Sequence, residues 1–290
     1  MSLSSISYPA GLGATSDGLA LVIMDLWGCV HDGITAYPAA LDALAQLKAS
    51  KIPVALVSNA PRRTEVLKPR LRQLGIADDL YAGIYTSGEM IWQHLATRSD
   101  PAYAALGRKV YAIVADHDRP FFDGLGLTVT ETIGEADFVL AIGVADEFVT
   151  LRNFESVLAT ALARKLPLLC ANPDLVVHRG GIAEICAGAI AEEYARMGGQ
   201  VLIEGKPYPG IYKKVIADFG ITDTKTVLGV GDALRTDVAG AAGIGARSLF
   251  LAGGIHQADL LREKTIDRAV LDHLTLQVPR PTYALPYLAW

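Results

Sequence analysis

The chain has 290 residues, of which 51% are hydrophobic and 20% are charged, and its formal net charge is −5. This length suits one large α/β domain or two smaller ones, and the composition is that of a folded globular protein. Without a basic excess to neutralise many phosphates, no nucleic-acid partner is expected. No apolar run approaches the ~20 residues of a membrane span. We therefore expect a cytoplasmic protein with no membrane partner.

Short apolar runs alternate with helical periodicity in the first third of the chain, which is typical of βα units. The pattern predicts strands at 19–24, 52–57 and 84–87, and helices at 39–48 and 89–96. Another helix is expected to begin near Pro61 and to stop at Gly75. Pro69 falls inside it, and because proline removes a helical hydrogen bond, we expect a kink or two short helices there.

The middle of the chain carries enough elements for a sheet of its own. Strands are predicted at 109–114, 138–143 and 166–171, with a helix at 154–165. We therefore expect an inserted cap domain at 88–184 and a core domain formed by 1–87 and 185–290.

The last third returns to the first sheet. A helix is predicted at 188–197, and strands at 227–230 and 248–251 complete the sheet. The tail, which contains Pro279, Pro281 and Pro286, is expected to be an extended surface segment or a partner contact.

Aspartates follow two of the predicted core strands. Asp25 comes directly after the first apolar run, Asp232 follows the strand that begins at Val227, and Asp237 lies five residues later. Open parallel sheets bind ligands at the carboxyl ends of their strands, and Mg²⁺ prefers carboxylate oxygens. The pattern predicts a magnesium site that the fold assembles from distant segments.

The remaining candidate residues suit phosphoryl transfer. Asp25 can attack phosphorus and form an aspartyl-phosphate. Ser58 and Asn59, at the end of the second strand, can donate to phosphoryl oxygens, and Lys206 can neutralise charge. Singly, Asp25 also fits an ordinary turn and Ser58-Asn59 a helix N-cap. Only the combination favours an enzyme.

Four segments together resemble the motifs of the haloacid dehalogenase (HAD) superfamily: Asp25, Ser58, Gly205-Lys206-Pro207, and Gly231-Asp232 through Asp237. The phrases GKPYPGIY at 205–212 and ANPD at 171–174 are similar to those of the class IIA, NagD-like phosphatases. This resemblance covers roughly residues 20 to 255. It implies a Rossmann-like α/β core with a parallel sheet and an inserted α/β cap of the C2 type that closes on the substrate. The implied function is a Mg²⁺-dependent phosphatase for a small phosphorylated metabolite, with a homo-oligomer left open.

The resemblance also implies a role for each matched residue. Catalysis is expected from Asp25 and Lys206. Phosphate binding is expected from Ser58, Asn59, Lys206 and Gly28. The magnesium site is expected to use Asp25, the backbone carbonyl of Trp27 and Asp232 as ligands, with Asp237 holding a metal-bound water. Asn172 and Asp174 are expected to be cap residues near the substrate or the hinge.

Trp27 departs from the pattern, since family phosphatases usually carry there a second aspartate that protonates the leaving group and later activates water. An indole cannot transfer that proton, and a positioned acid–base group typically contributes ~10²–10⁴-fold. His31 or Asp32 could substitute, or both could simply shape the turn. The alternative function is therefore a catalytically weak or inactive HAD fold that binds a phosphorylated ligand or partner.

Overall fold

The computed structural model describes residues 5–144, 149–179 and 182–290. Its chain divides into two compact units. The first comprises Met1–Ser58, Glu65–Tyr85 and Lys206–Trp290, and the second comprises Asn59–Thr64 and Thr86–Gly205. Among the helices in these described ranges, none is both long enough and apolar enough to cross a membrane.

Both units are built from strands and helices, numbered here in chain order. The strands are β1 (Leu21–Met24), β2 (Val54–Ser58), β3 (Gly83–Thr86), β4 (Lys109–Val114), β5 (Thr128–Val129), β6 (Phe138–Gly143), β7 (Leu168–Cys170), β8 (Val176–Arg179), β9 (Ile182–Ile185), β10 (Val201–Ile203), β11 (Val227–Gly231), β12 (Arg247–Leu251), β13 (Leu261–Arg262), β14 (Thr265–Ile266) and β15 (Tyr283–Leu285). The helices are α1 (Pro38–Ala49), α2 (Thr64–Gln73), α3 (Ser87–Thr97), α4 (Pro101–Ala104), α5 (Glu155–Ala163), α6 (Ala187–Arg196), α7 (Pro209–Asp218), α8 (Ala239–Gly243), α9 (Gln257–Leu260) and α10 (Arg268–Leu274).

The first unit holds a sheet in the order β15-β12-β11-β1-β2-β3. The pairings of β1 with β2 and β11, and of β12 with β11 and β15, are parallel. The chain moves outward in one direction from β1 to β3 and in the other from β11 to β15, so the direction reverses between β1 and β11. In open α/β sheets such a switch point opens a crevice at the carboxyl ends of the strands.

Apolar side chains cover both faces of this sheet. On β12, Leu249 and Leu251 join one buried cluster, which also contains α1, while Phe250 joins a second cluster with α10. Every residue of β1 is buried as well. Burial on two faces explains why these strands read as continuous apolar runs rather than as an alternating pattern.

The second unit holds its own sheet, in the order β10-β7-β6-β4-β5, with parallel pairings throughout. On β6, Val139 and Ala141 pack with α5 and α6, while Leu140 and Ile142 pack with α3. The unit contains the segment 88–184 expected for the cap. It is larger than that segment because α6 and β10 belong to the same fold.

For two individual elements the structure excludes one of the alternatives expected from the sequence. The tail is not a surface segment, since β15 pairs with β12 and buries Ala284 and Leu285. The region around Pro69 is not two short helices, because α2 runs as one helix through it. The three-residue strand β10 was not anticipated at all.

Candidate active site

The switch point of the first sheet brings Asp25 and Asp232 together. Met24 of β1 lies opposite Val230 of β11, and the Asp25 backbone N–H donates to the Val230 carbonyl at 2.9 Å. Asp25 comes directly after β1, and Asp232 comes directly after β11. Both side chains are buried, with 8% and 6% of the residue surface exposed. The predicted convergence of these two carboxylates is what the register produces.

Lys206 joins Asp25 to Asp237. Its Nζ lies 2.5 Å from Asp25 Oδ1 and 2.7 Å from Asp237 Oδ1, and only 4% of the lysine is exposed. Burial alone would lower the pKa of Lys206, but the Asp237 and Asp25 carboxylates overcome this and raise it. The lysine is therefore an ammonium at neutral pH.

Asp237 lies on a π-helical turn, Leu234–Val238, which runs into α8. While Oδ1 binds Lys206, Oδ2 accepts a hydrogen bond from the Ala233 N–H at 3.1 Å. A Cβ on Gly231 would come within 2.1 Å of the Asp237 Cγ, so the approach needs a glycine. With both oxygens engaged, Asp237 is suited to holding Lys206 in place.

Asp232 is held by a loop that the sequence analysis did not include. The Ile255 N–H donates to Asp232 Oδ2 at 2.9 Å. A Cβ on Gly254 would lie 1.9 Å from the same oxygen, and one on Gly28 would lie 2.1 Å away. The Gly253-Gly254 pair just after the β12 strand was the available signal, since glycine permits such close approach.

The cluster is rich in buried carboxylates. Burial raises the pKa of the Asp25 carboxyl, and the Asp237 and Asp232 carboxylates raise it further, against the effect of Lys206. A buried cluster of carboxylates suits a divalent cation, which would also favour the ionised form of Asp25.

The donor set fits Mg²⁺. Ligand atoms of Asp25, Cys29 and Asp232 lie within 4.8 Å of one another. Burial, together with Asp232 and Asp25, raises the pKa of the Cys29 thiol well above its usual range, so this sulfur stays protonated and is a poor ligand for a hard cation. Among the described residues none donates a hydrogen bond to the Trp27 carbonyl, which leaves that oxygen available as the expected backbone ligand.

Trp27 lies in a tightly organised loop. Its ring meets the His31 ring edge-on, with centroids 5.7 Å apart. A Cβ on Gly33 would come within 2.3 Å of the indole, and Gly33 has a φ of +87°. The Arg70 guanidinium donates to the Gly33 carbonyl at 2.7 Å. The indole is thus fixed along one edge, yet 40% of the residue is exposed.

His31 and Asp32 shape this loop. His31 Nδ1 accepts the Gly33 N–H at 2.9 Å, and burial lowers the pKa of this imidazole to about 4. Asp32 Oδ1 accepts from the N–H groups of Ile34 and Thr35, and these bonds lower the pKa of its carboxyl. At neutral pH His31 is uncharged and Asp32 is an anion, so neither carries the proton of a carboxylic acid.

Three of the other predicted residues lie together in the second unit. The Asn59 amide donates to Asp174 Oδ1 at 2.8 Å, and the Asp174 N–H donates to Asn172 Oδ1 at 3.1 Å. Ser58, in contrast, ends β2 in the first unit and is buried. Asn59 and Asp174 are 115 positions apart, so no local pattern indicated this contact.

Two family models match the chain. The model described as haloacid dehalogenase-like hydrolase matches residues 22–128, and the one described as HAD-hydrolase-like matches residues 203–276. The first match contains Asp25 and Ser58, and the second contains Lys206, Asp232 and Asp237. The matched regions therefore supply all the polar residues brought together in the first unit.

Known proteins agree with these models over nearly the whole chain. A haloacid dehalogenase-like hydrolase structure from Brucella suis 1330 is 32% identical, with a TM-score of 0.81, and the alignment covers 97% of this chain and 100% of that one. The ribonucleotide monophosphatase NagD of Escherichia coli K12 is 24% identical over 82% of this chain and 89% of its own. A p-nitrophenyl phosphatase from Archaeoglobus fulgidus shares the fold, with a TM-score of 0.68, 21% identity, and coverage of 93% and 96%. The chain therefore belongs to the haloacid dehalogenase-like hydrolases, in the NagD-like class of phosphatases.

Proposed function

We propose that the protein is a Mg²⁺-dependent phosphatase that hydrolyses a small phosphomonoester through an aspartyl-phosphate on Asp25. The observation that carries this proposal is the buried bridge from Asp25 through Lys206 to Asp237, with Asp232 beside it at the switch point. The names of two similar proteins, a ribonucleotide monophosphatase and a p-nitrophenyl phosphatase, support small phosphomonoesters as the substrate class.

The first chemical step uses the free oxygen of Asp25. Oδ1 is bound by Lys206, whereas no described residue donates to Oδ2. Oδ2 attacks phosphorus, the new P–O bond forms, and the bond to the ester oxygen breaks, with its electron pair going to the leaving group. Lys206 and the Ser58 hydroxyl stabilise charge on the phosphoryl oxygens. Water then attacks phosphorus, releases phosphate and restores Asp25.

The residues of this site are sufficient to hold the cation. Asp25, Asp232 and the Trp27 carbonyl would bind Mg²⁺, while Asp237 orients Lys206. The cation supplies charge neutralisation for the carboxylates and for the phosphoryl group. Gly28 leaves room beside Asp232 because a side chain there would collide with the carboxylate.

The leaving group receives no proton from a carboxylic acid in this site. Trp27 occupies the position of the usual acid, and both His31 and Asp32 are committed to the loop. Phosphate esters whose leaving oxygen anion is a weak base, and acyl phosphates, should therefore react faster than sugar phosphates. The same observation favours the alternative function, a weak or inactive fold that binds a phosphorylated ligand.

The second unit is proposed to act as the cap of the enzyme. Its own sheet and two-sided core give it the independence that a cap needs. Asn172 and Asp174 are proposed to shape the substrate-facing part of that cap, and Asn59 to fix Asp174 through its amide.

Release of p-nitrophenol from p-nitrophenyl phosphate, with Mg²⁺ and with a chelator, tests the proposal. Wild-type protein should turn over only with Mg²⁺, and Asp25→Asn should lose at least the ~10³-fold expected when a nucleophile is removed. Asp116→Asn is the matched control, since this exposed aspartate pairs only with Arg119 among the residues that the structure describes. Mg²⁺-dependent binding of phosphate without turnover would favour the alternative function.

A further inference from the structure

The Trp27 side chain is supported more strongly than a surface residue requires. Its benzo edge rests on the Gly33 backbone, where no Cβ fits, and its ring meets the His31 ring edge-on. The loop beneath is closed by the Asp32 carboxylate and clamped by Arg70. These contacts remove rotational freedom from the indole before any ligand arrives, which lowers the entropic cost of binding against it.

The rest of the ring is left open. The residue is 40% exposed, although a tryptophan normally gains from full burial. Its indole N–H donates to none of the residues within 5–144, 149–179 and 182–290. A fixed, apolar face that neither packs into the core nor hydrogen-bonds is suited to contact with a ligand.

The chain places the Trp27 backbone close to the reacting atoms. Trp27 is two residues after Asp25, so their Cα atoms are at most about 7 Å apart. On its other side, Gly28 touches the Asp232 carboxylate. A group esterified to a phosphoryl group at Asp25 therefore lies near the segment that carries the indole.

Two requirements, a weakly basic leaving oxygen and a group that fits against the indole, point to one substrate class. Without an acid to protonate it, the leaving oxygen must be a weak base, and phenols, with a pKa near 10, meet this condition far better than alcohols. A flat indole face in turn prefers a flat aromatic ring. Phosphate esters of phenols satisfy both, whereas acyl phosphates satisfy only the first.

We propose that Trp27 is a specificity-determining residue whose indole stacks on the aromatic leaving group of aryl phosphates, which are the preferred substrates. This inference rests on the proposed phosphatase function. The aromatic leaving group is then recognised by Trp27, which belongs to the first unit and lies two residues after the nucleophile. This is the position where an acid is usually found.

Two non-hydrolysable ligands separate stacking from chemistry. Phenylphosphonate and cyclohexylphosphonate carry the same charged group and a six-membered ring, but only the first ring is flat. We expect calorimetry, in Mg²⁺ and at a pH where both are dianions, to show wild type binding phenylphosphonate more tightly by roughly 2- to 12-fold. Trp27→Leu should abolish this ratio, and Trp27→Phe should keep part of it.

Trp92→Leu is the matched control, because Trp92 already stacks on Arg63 and donates its N–H to the Asp123 carbonyl. It should leave the ratio unchanged. Equal binding of the two phosphonates by wild type, or an unchanged ratio in Trp27→Leu, would overturn the inference.

Turnover of phenyl phosphate keeps the two proposals distinguishable. If the indole stacks on the leaving group, Trp27→Leu should raise KM more than it lowers kcat. The lost contact stabilises the bound substrate and the transition state equally. A wild type that prefers phenylphosphonate but releases no phosphate would refute the phosphatase and retain the stacking. A wild type that hydrolyses phenyl phosphate but binds both phosphonates equally would do the reverse. Binding of neither phosphonate would refute both.

Discussion

At the scale of single residues, the site is defined by charge compensation. Each of the three buried carboxylates has a distinct set of partners: Asp25 accepts from Lys206, Asp237 accepts from Lys206 and the Ala233 N–H, and Asp232 accepts from the Ile255 N–H. Buried charges are costly unless they are paired, so these contacts are needed to keep the carboxylates in the site. The proposed cation at Asp25 and Asp232 would add further compensation.

His31 gives the first prediction, which concerns stability against acid. Burial lowers the pKa of the folded imidazole from 6.5 to about 4. Above pH 6.5 both folded and unfolded chains hold it neutral, and its full contribution is present. As the pH falls through the window from 6.5 to 4, only the unfolded chain takes up the proton, so stability falls, by about 3 kcal/mol in total.

His31→Asn should remove the loss of stability between pH 6.5 and pH 4. An asparagine oxygen can still accept the Gly33 N–H but does not titrate. The measurement is the free energy of unfolding of both proteins from pH 7 to pH 4. We expect the wild type to lose about 3 kcal/mol more than the variant over this range. Parallel curves would show that the imidazole is not held neutral by burial.

The residues of this site were only partly accessible from the sequence. Asp25, Asp232 and Lys206 were predicted because each follows a recognisable element or motif. The partners of Asp237 and Asn59 were not, since they depend on how segments 31 and 115 positions apart fold together. Ile255 contributes only its backbone, which no side-chain pattern reveals.

At the scale of elements, β15 shows how an unremarkable segment becomes structural. Its three residues are surrounded by prolines and lack a strand pattern, yet it pairs with β12 and buries Leu285. The strands β1, β2 and β6, by contrast, were predicted because burial on both faces produces continuous apolar runs. A short edge strand such as β15 or β10 instead becomes a strand by hydrogen bonding to the adjacent strand of the sheet, and its own sequence carries little signal.

Leu285→Ala tests the structural role of this tail. Leu285 is 4% exposed and packs in the same cluster as α1, so its truncation should destabilise the protein by about 3 kcal/mol. Leu276→Ala is the matched control, because Leu276 is 61% exposed, and it should cost less than about 0.5 kcal/mol. Chemical denaturation compares the two. Equal costs would mean that the tail does not belong to the folded core.

At the scale of the whole molecule, the carboxylate cluster couples cation binding to stability. A ligand that binds only the folded state stabilises it, by about 2.7 kcal/mol at a concentration 100 times its Kd. The first unit should therefore be less stable in a chelator than in Mg²⁺.

Asp232→Asn should weaken the response to Mg²⁺. The cation should raise the melting temperature of wild type far more than that of the variant, because the variant lacks one of the proposed carboxylate ligands. Asp116→Asn should respond to Mg²⁺ as wild type does. Thermal unfolding with and without Mg²⁺ measures all three proteins, and identical shifts for Asp232→Asn and wild type would remove the proposed cation site.

The central claim is that Asp25 carries the phosphoryl group, and one measurement addresses it directly. Protein mixed with p-nitrophenyl phosphate and Mg²⁺ is quenched in acid, digested, and analysed by mass spectrometry for a peptide heavier by one phosphoryl group. The account predicts that this mass lies on the peptide containing Asp25 and is absent from Asp25→Asn. A phosphoryl group on another residue, or p-nitrophenol release at the wild-type rate by Asp25→Asn, would contradict it.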